Sequence, residues 1–288
     1  MSAVFFVLVY GLSYGMVLFI ISVGLAVTLG LMRVVNMAHG AFAAIGGYLA
    51  LAWMTAWGVP FPLAVLLATA AVALFSVPIE RLIYTRLYGS GELDQVLLTI
   101  GLIFITIAGL NYFYGPNPMP STLPSWLASN ADLFVLQVQN YRIMLIVVGL
   151  ALMLGLWLLF DRTGFGARLR AAVDNRSMAQ AVGINVDRLF SATFALGSGL
   201  AAFGGAVGYQ ILPLEPQYPF KYLALFLVIV TIAGLGNIRT TALMAMVVGI
   251  IDTGVRFLYP AAGAFVVYLI LIAILLWRYR GTFSGIRG

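Results

Sequence analysis

Hydrophobic residues run along this chain in long blocks separated by short polar clusters, with no residue-by-residue alternation. Stretches free of Asp, Glu, Lys and Arg cover 1–32, 34–79, 95–131, 143–160, 189–214, 222–238 and 257–277. A helix needs about 20 apolar residues to cross the hydrocarbon core of a bilayer, and in lipid its backbone polar groups are satisfied within the segment. A membrane barrel would instead show alternating segments of roughly ten residues. The second block holds two spans turning at Gly58-Val59-Pro60. The pattern predicts an all-α polytopic membrane bundle of about eight to ten spans. Nine are placed at Val4–Leu31, Gly40–Trp57, Phe61–Ile79, Gln95–Tyr114, Ile143–Phe160, Leu189–Leu212, Tyr222–Gly236, Ala242–Leu258 and Gly263–Trp277. The spans beginning at Tyr222 and Gly263 are short, as expected of half-helices or re-entrant pieces packed inside protein.

Composition agrees with lipid as the solvent. Of 288 residues, 63% are hydrophobic and 8% charged, against about 25% charged in soluble domains. One membrane domain over 1–288 is expected, with a cytoplasmic loop at about 161–188 and an external proline-rich loop at about 115–141. The first block is too long for a signal-peptide core and reads as a retained span. The loops carrying Arg81–Arg86, Arg162–Arg188 and Arg278–Arg287 are separated by even numbers of spans, so they share one side. That side collects Arg33, Arg81, Arg86, Arg162, Arg168, Arg170, Arg176, Arg188, Arg239, Arg278, Arg280 and Arg287, against Arg142, Lys221 and Arg256 opposite. The positive-inside rule makes the richer side cytoplasmic, with the amino terminus out and the carboxyl terminus in. The net charge of +6 is thus a matter of topology, and no basic stripe interleaved with aromatics points to nucleic acid.

Several chemistries are excluded. There is no cysteine, His39 is the single histidine, and no paired carboxylates stand at helical spacing, so no metal site is expected. A P-loop needs G-x-x-x-x-G-K-[ST]; the one lysine is Lys221, in Pro219-Phe220-Lys221-Tyr222. The chain is expected not to be an enzyme, and any ATP-driven step must use another polypeptide. Ion-coupled transport is the alternative, since intramembrane ionisable groups mark ion pathways. Asp252 is the acid placed well inside a span, and Arg256, four residues on, shares its helical face, which predicts an internal ion pair.

Two polar features interrupt the apolar pattern. Arg33-Val34-Val35-Asn36-Met37-Ala38-His39-Gly40 lies between the first two spans, where Asn36 is placed to cap the next helix and His39 to reach a carbonyl or a solute. The cytoplasmic loop from Thr163 to Asn185 reads as a short helix of small residues, started by Asp174 or Asn175 and stopped by Gly183. Its exposed side is expected to offer Met178, Ala179 and Val182, rimmed by Arg176 and Gln180. Gly11/Gly15, Gly197/Ala201/Gly205 and Gly204/Gly208 repeat at four-residue spacing, which lets helix backbones approach closely inside one bundle.

On these residues the chain resembles the branched-chain amino acid ABC transporter permeases of the LivH/LivM type, and the LivH-like subunit in particular. The resemblance covers nearly the whole chain. It rests on Asn36-Met37-Ala38-His39-Gly40, similar to an asparagine-aromatic-alanine-histidine-glycine motif, on Glu80-Arg81, on the loop Gly164 to Asn185, and on Gly234-Leu235-Gly236-Asn237-Ile238. Met37 departs from the usual aromatic, and Arg239-Thr240-Thr241 from the usual small residues.

The resemblance implies a type II-like importer permease in a bacterial inner membrane. Its expected partners are a second homologous permease, two ATP-binding-cassette ATPases that bind ATP and magnesium, a periplasmic substrate-binding protein and membrane lipid; this chain itself needs no cofactor. The solute implied is a branched-chain amino acid, or alternatively urea, a short amide or an aromatic acid. Asn36, His39, Gln210 and Thr231 are candidates for the substrate pathway. Because the chain has no nucleotide site, Asp174, Arg176, Met178, Ala179, Val182 and Gly183 are expected to form the helix that couples it to the ATPase.

Overall fold

The computed structural model describes residues 2–32, 36–87, 90–120, 122–133, 136–234 and 236–260, together with 265, 268, 269, 272, 273 and 276. Arg33, Leu235, Arg278, Arg280, Arg287 and most of the span expected at Gly263–Trp277 lie outside these residues.

Twelve helices in chain order carry the described part. They are α1 (Ser2–Leu31), α2 (His39–Trp57), α3 (Phe61–Leu82), α4 (Glu92–Tyr114), α5 (Ser125–Ala128), α6 (Asn140–Trp157), α7 (Gly164–Asp174), α8 (Arg176–Ala181), α9 (Val186–Gly208), α10 (Tyr218–Lys221), α11 (Leu223–Ala233) and α12 (Ile238–Leu258). Among the described residues, α1, α2, α3, α4, α6 with its terminal turn, α9 and α12 are long and apolar enough to cross a membrane. α10 and α11 together are not, which matches the short block seen in the sequence. Their sixteen residues reach about 24 Å at 1.5 Å per residue, short of a hydrocarbon core of about 30 Å.

α1 is the axis. Every residue from Gly15 to Thr28 is buried, as a helix apolar on all sides must be if protein surrounds it. α12, α9, α6 and α11 pack around it, and α2 and α3 pack on the far side of α9. Lipid tails are as apolar as leucine, so association rests on close packing, and glycine permits the closest approach. A Cβ on Gly249 would lie 2.5 Å from the Gly11 carbonyl oxygen and 2.6 Å from the Gly15 Cα. On the other side of α1, Gly204 and Gly208 lie against Ile21 and Val17, and Gly205 and Gly46 bring α9 onto α2. The spaced glycines are used inside one bundle.

Helix ends are fixed locally. Asn175, Asn185 and Asn237 accept from the backbone amides of Met178, Arg188 and Thr240 at 2.9, 3.0 and 3.2 Å, satisfying donors that a helix start leaves free. α2 ends at Gly58 with φ 63°, a left-handed stop that suits glycine.

The segment expected to be an irregular external loop has structure of its own. α5 is followed by a hairpin of β1 (Asn130–Leu133) and β2 (Leu136–Gln139), antiparallel with Asn130 opposite Gln139. Leu127 is buried, the Met119 amide donates to the Leu214 carbonyl at 2.9 Å, and the Tyr209 hydroxyl donates to the Thr122 carbonyl at 3.1 Å. Burial pushes the Tyr209 hydroxyl up to about 12, so it stays a donor at any physiological pH. Four-residue strands carry too little alternation to be distinguished from a loop in sequence.

Alanine forms helix better than glycine by about 1 kcal/mol. Gly109→Ala on α4, with nothing within 4 Å of the new Cβ, should therefore hold or raise thermal stability in detergent. Gly249→Ala should lower it by roughly 1–3 kcal/mol, the range for overpacking. Equal melting shifts for the two variants would remove the close α1–α12 contact from its central place.

Candidate functional site

The joint between α1 and α2 is folded inward. The His39 ring Nε2 lies 2.8 Å from the Ile21 carbonyl oxygen. A carbonyl only accepts, so this nitrogen donates and the ring is the Nε2–H tautomer. Its Nδ1 is buried with no hydrogen-bond partner among the described residues. Asn36 does not cap α2, whose N-cap is Ala38 without a side-chain bond. Instead the Tyr84 hydroxyl, in a 3-10 turn (Tyr84–Leu87) after α3, donates to Asn36 Oδ1 at 2.8 Å. The Met37 amide donates to Thr99 Oγ1 on α4 at 3.2 Å. The polar interruption thus ties α1, α3 and α4 around the start of α2.

The other two pathway candidates lie elsewhere. Gln210 follows the carboxyl end of α9, and Thr231 is exposed on α11, where its hydroxyl donates to the Leu227 carbonyl at 2.8 Å. None of the four lines any of the three cavities considered below.

The loop from Thr163 to Asn185 forms two helices where sequence suggested one. α7 ends at Asp174, Asn175 caps α8, and Gly183 with φ 86° closes the turn after it. Met178 and Val182 are 62% and 68% exposed, whereas Ala179 is 3% exposed. Ala179 therefore belongs to the face that packs on this chain, correcting the exposed trio expected from sequence. A helix of six residues shows too little periodicity to assign its faces. The loop is braced: Arg170 donates to the Phe160 carbonyl at 2.7 Å and Arg176 pairs with Asp187 at 2.7 Å. Arg239 pairs with Asp161 at 3.1 Å and lies 5.3 Å from the centre of the Trp157 ring, which gives this departure from the family pattern a packing role. A cavity of about 450 Å³ lies between these parts, lined by Trp157, Asp161, Arg170, Asn237 and Arg239 among others.

Asp252 is not the sole buried acid. Glu80 is also buried, inside α3, and accepts from Ser191 Oγ on α9 at 2.6 Å; its position beside Arg81 made it look like a loop residue. Asp252 is held by Arg256, whose Nε lies 2.8 and 2.9 Å from the two carboxylate oxygens, and by the Tyr14 hydroxyl.

A cavity of about 560 Å³ opens around that pair, bounded by α1, the start of α6, the α9–α10 connection, the α10–α11 joint and the end of α12. Arg142, Lys221 and Arg256, the three basic residues set apart by the charge pattern, all line it. Their convergence could not be read from sequence, since they come from three separate blocks. A third cavity, of about 390 Å³, is almost wholly apolar, between α2, α3 and α4. Among the described residues no group of His, Cys, Asp and Glu could hold a metal.

A family model described as a branched-chain amino acid transport system permease component matches residues 7–275. The chain belongs to this permease family. The permease is 27% identical to the high-affinity branched-chain amino acid transport system permease protein BraD of Pseudomonas aeruginosa, over 95% of this chain and 94% of that one. It is 25% identical to the probable branched-chain amino acid transport permease protein LivH of Methanocaldococcus jannaschii, over 91% and 87%. With LivH of Salmonella typhimurium it shares 24% identity over 84% and 82%. No solved structure gives a significant match.

The Asp252–Arg256 pair is asymmetric, with side chains 4% and 56% exposed. Removing Arg256 strands a buried carboxylate, at a cost of about 3–5 kcal/mol; removing Asp252 leaves a guanidinium that water can reach. Arg256→Gln should therefore lower the thermal midpoint of the purified permease more than Asp252→Asn. The reverse order would mean that the carboxylate is not the member held by its partner.

Proposed function

We propose that this permease is one of two membrane subunits of an ATP-driven importer for branched-chain amino acids. It works with two cytoplasmic ATPases, which bind ATP and magnesium, and with an external binding protein that delivers the solute. The observation that carries this reading, beyond family membership, is α8. Met178 and Val182 stand exposed on a short helix braced from behind by Arg176–Asp187, and exposed apolar side chains on a rigid mount suit a partner's groove. The chain has no P-loop, so the work of ATP binding must enter through such a contact. α7 leads from it through the Arg170–Phe160 bond to the end of α6, and from there the Asp161–Arg239 pair leads to α12. Asp174 ends α7 just before the helix, Arg176 ties its start to Asp187, Gly183 closes the turn after it, and Ala179 seats it. The amino terminus is assigned to the outside, so that α8 faces the cytoplasm of a bacterial cell.

The proposed route runs between the two permeases, past Gln210 and the exposed Thr231, with Asn36 and His39 as the buried polar joint behind it. The relatives are named for branched-chain amino acids, which favours these over urea, short amides or aromatic acids.

Met178→Arg places charge on the exposed face of α8 while keeping a good helix former. The variant should insert and pair with its sister permease, yet lose bound ATPase or lose substrate-stimulated hydrolysis and uptake together. Normal uptake with fully coupled hydrolysis would reduce α8 to a surface helix. Gln210→Ala combined with Thr231→Val should slow uptake at least severalfold at normal expression; an unchanged rate and selectivity would return both residues to packing.

A further inference from the structure

We propose that the cavity between α1, α6, α10, α11 and α12 is a subsite for the α-carboxylate of an aliphatic amino acid, taken at Arg142. This rests on the reading of the chain as an amino acid permease and adds a location and a chemistry to it.

The geometry begins with Arg142. Its Nη1 donates to Ser13 Oγ at 3.1 Å and its guanidinium lies 4.1 Å from the centre of the Tyr10 ring. Among the described residues it makes no ion pair, and its Nε is buried without a hydrogen-bond partner. The other cations of the cavity are committed: Lys221 to Glu215 at 2.5 Å, and Arg256 to Asp252 at 2.8 Å. A guanidinium held in place by an aromatic face and a serine, with donors to spare, is suited to bidentate capture of a carboxylate.

The acid on the same wall is already engaged. Asp252 bonds the Tyr14 hydroxyl, and Arg142 stacks on Tyr10. Tyr10 and Tyr14 are four residues apart on α1, so the two groups rest on successive turns of one helix. With Asp252 held by Arg256 and Tyr14 and Lys221 held by Glu215, Arg142 is the cation of the cavity that has no anion among the described residues. The remaining wall is apolar, with Phe6, Ile211, Leu212 and Phe257, which suits an aliphatic side chain.

The floor supports the same polarity. Pro219 packs against Gly40 at the start of α2, beside His39, which bonds Ile21 in the middle of α1. The chain after α9 therefore dips into the bundle, and Pro216, Tyr218 and Pro219 are buried. α11 then begins at Tyr222, on the cavity floor, with the positive end of its dipole there. Discontinuous helices that aim such ends at anionic substrate groups are a recurring solution in membrane transport.

The permease has no cysteine, so Thr253→Cys in the cavity wall is a unique reporter within this chain. In right-side-out vesicles carrying the whole transporter, a membrane-impermeant maleimide should label it from outside. Millimolar L-leucine should slow labelling at least threefold, L-leucinamide, which lacks the carboxylate, should not, and Arg142→Gln in the same background should abolish the protection. Phe257→Cys at the rim serves as reporter if Thr253→Cys does not assemble. Absent labelling, labelling indifferent to leucine, or equal protection by the amide overturns the subsite. Leucine uptake by the unaltered transporter separates the two claims: uptake without protection removes only this site, and a transporter that carries no aliphatic amino acid removes the functional reading itself.

Discussion

Lipid gives helices no hydrophobic reason to associate, so everything in this permease depends on how closely backbones approach α1. Gly11 and Gly15 face Gly249 of α12, while Gly24 faces Gly197 of α9. With side chains absent along these seams, dispersion between main chains replaces the burial that drives folding in water. The close approach also sets the positions of the polar groups. Tyr10, Ser13 and Tyr14 project from the same turns of α1 that carry Gly11 and Gly15, so the seam that fixes α12 also brings Asp252 to Tyr14.

Much of the fold was legible because the bilayer permits few alternatives. The charge-free blocks located α1 to α4, α6, α9 and α12 to within a few residues, and the four-residue spacing of glycines marked the seams. What sequence could not resolve was which of several partners a polar side chain takes. Asn36 had the chemistry of a cap, yet Tyr84, 48 residues away, takes its oxygen. Glu80 fell just beyond the span placed at Phe61–Ile79, yet Ser191 on another helix holds it. Such choices are made by tertiary proximity, and neither periodicity nor propensity encodes them.

The same limit applies to the sites. The six residues of α8 were found in sequence by their small side chains, but their faces were not, since fewer than two turns define no stripe. Asn36, His39, Gln210 and Thr231 were each selected for being polar in apolar surroundings, and three-dimensional structure disperses them. The residues it gathers instead, Arg142, Lys221 and Arg256, were visible only as an exception to the charge distribution.

The inward dip of the chain before α11 has an electrical consequence. Were the cavity above Lys221 and Tyr222 filled with water, the membrane potential would fall mainly across the thinner layer below. There the sequence from Tyr222 to Ile238 carries no Asp, Glu, Lys or Arg. A unit charge crossing the full field exchanges about 2.3 kcal/mol per 100 mV, concentrated here over a shorter path, whereas a zwitterion exchanges none in net. Along the proposed route a neutral amino acid would thus cross at a rate indifferent to voltage, and a cationic or anionic one would not.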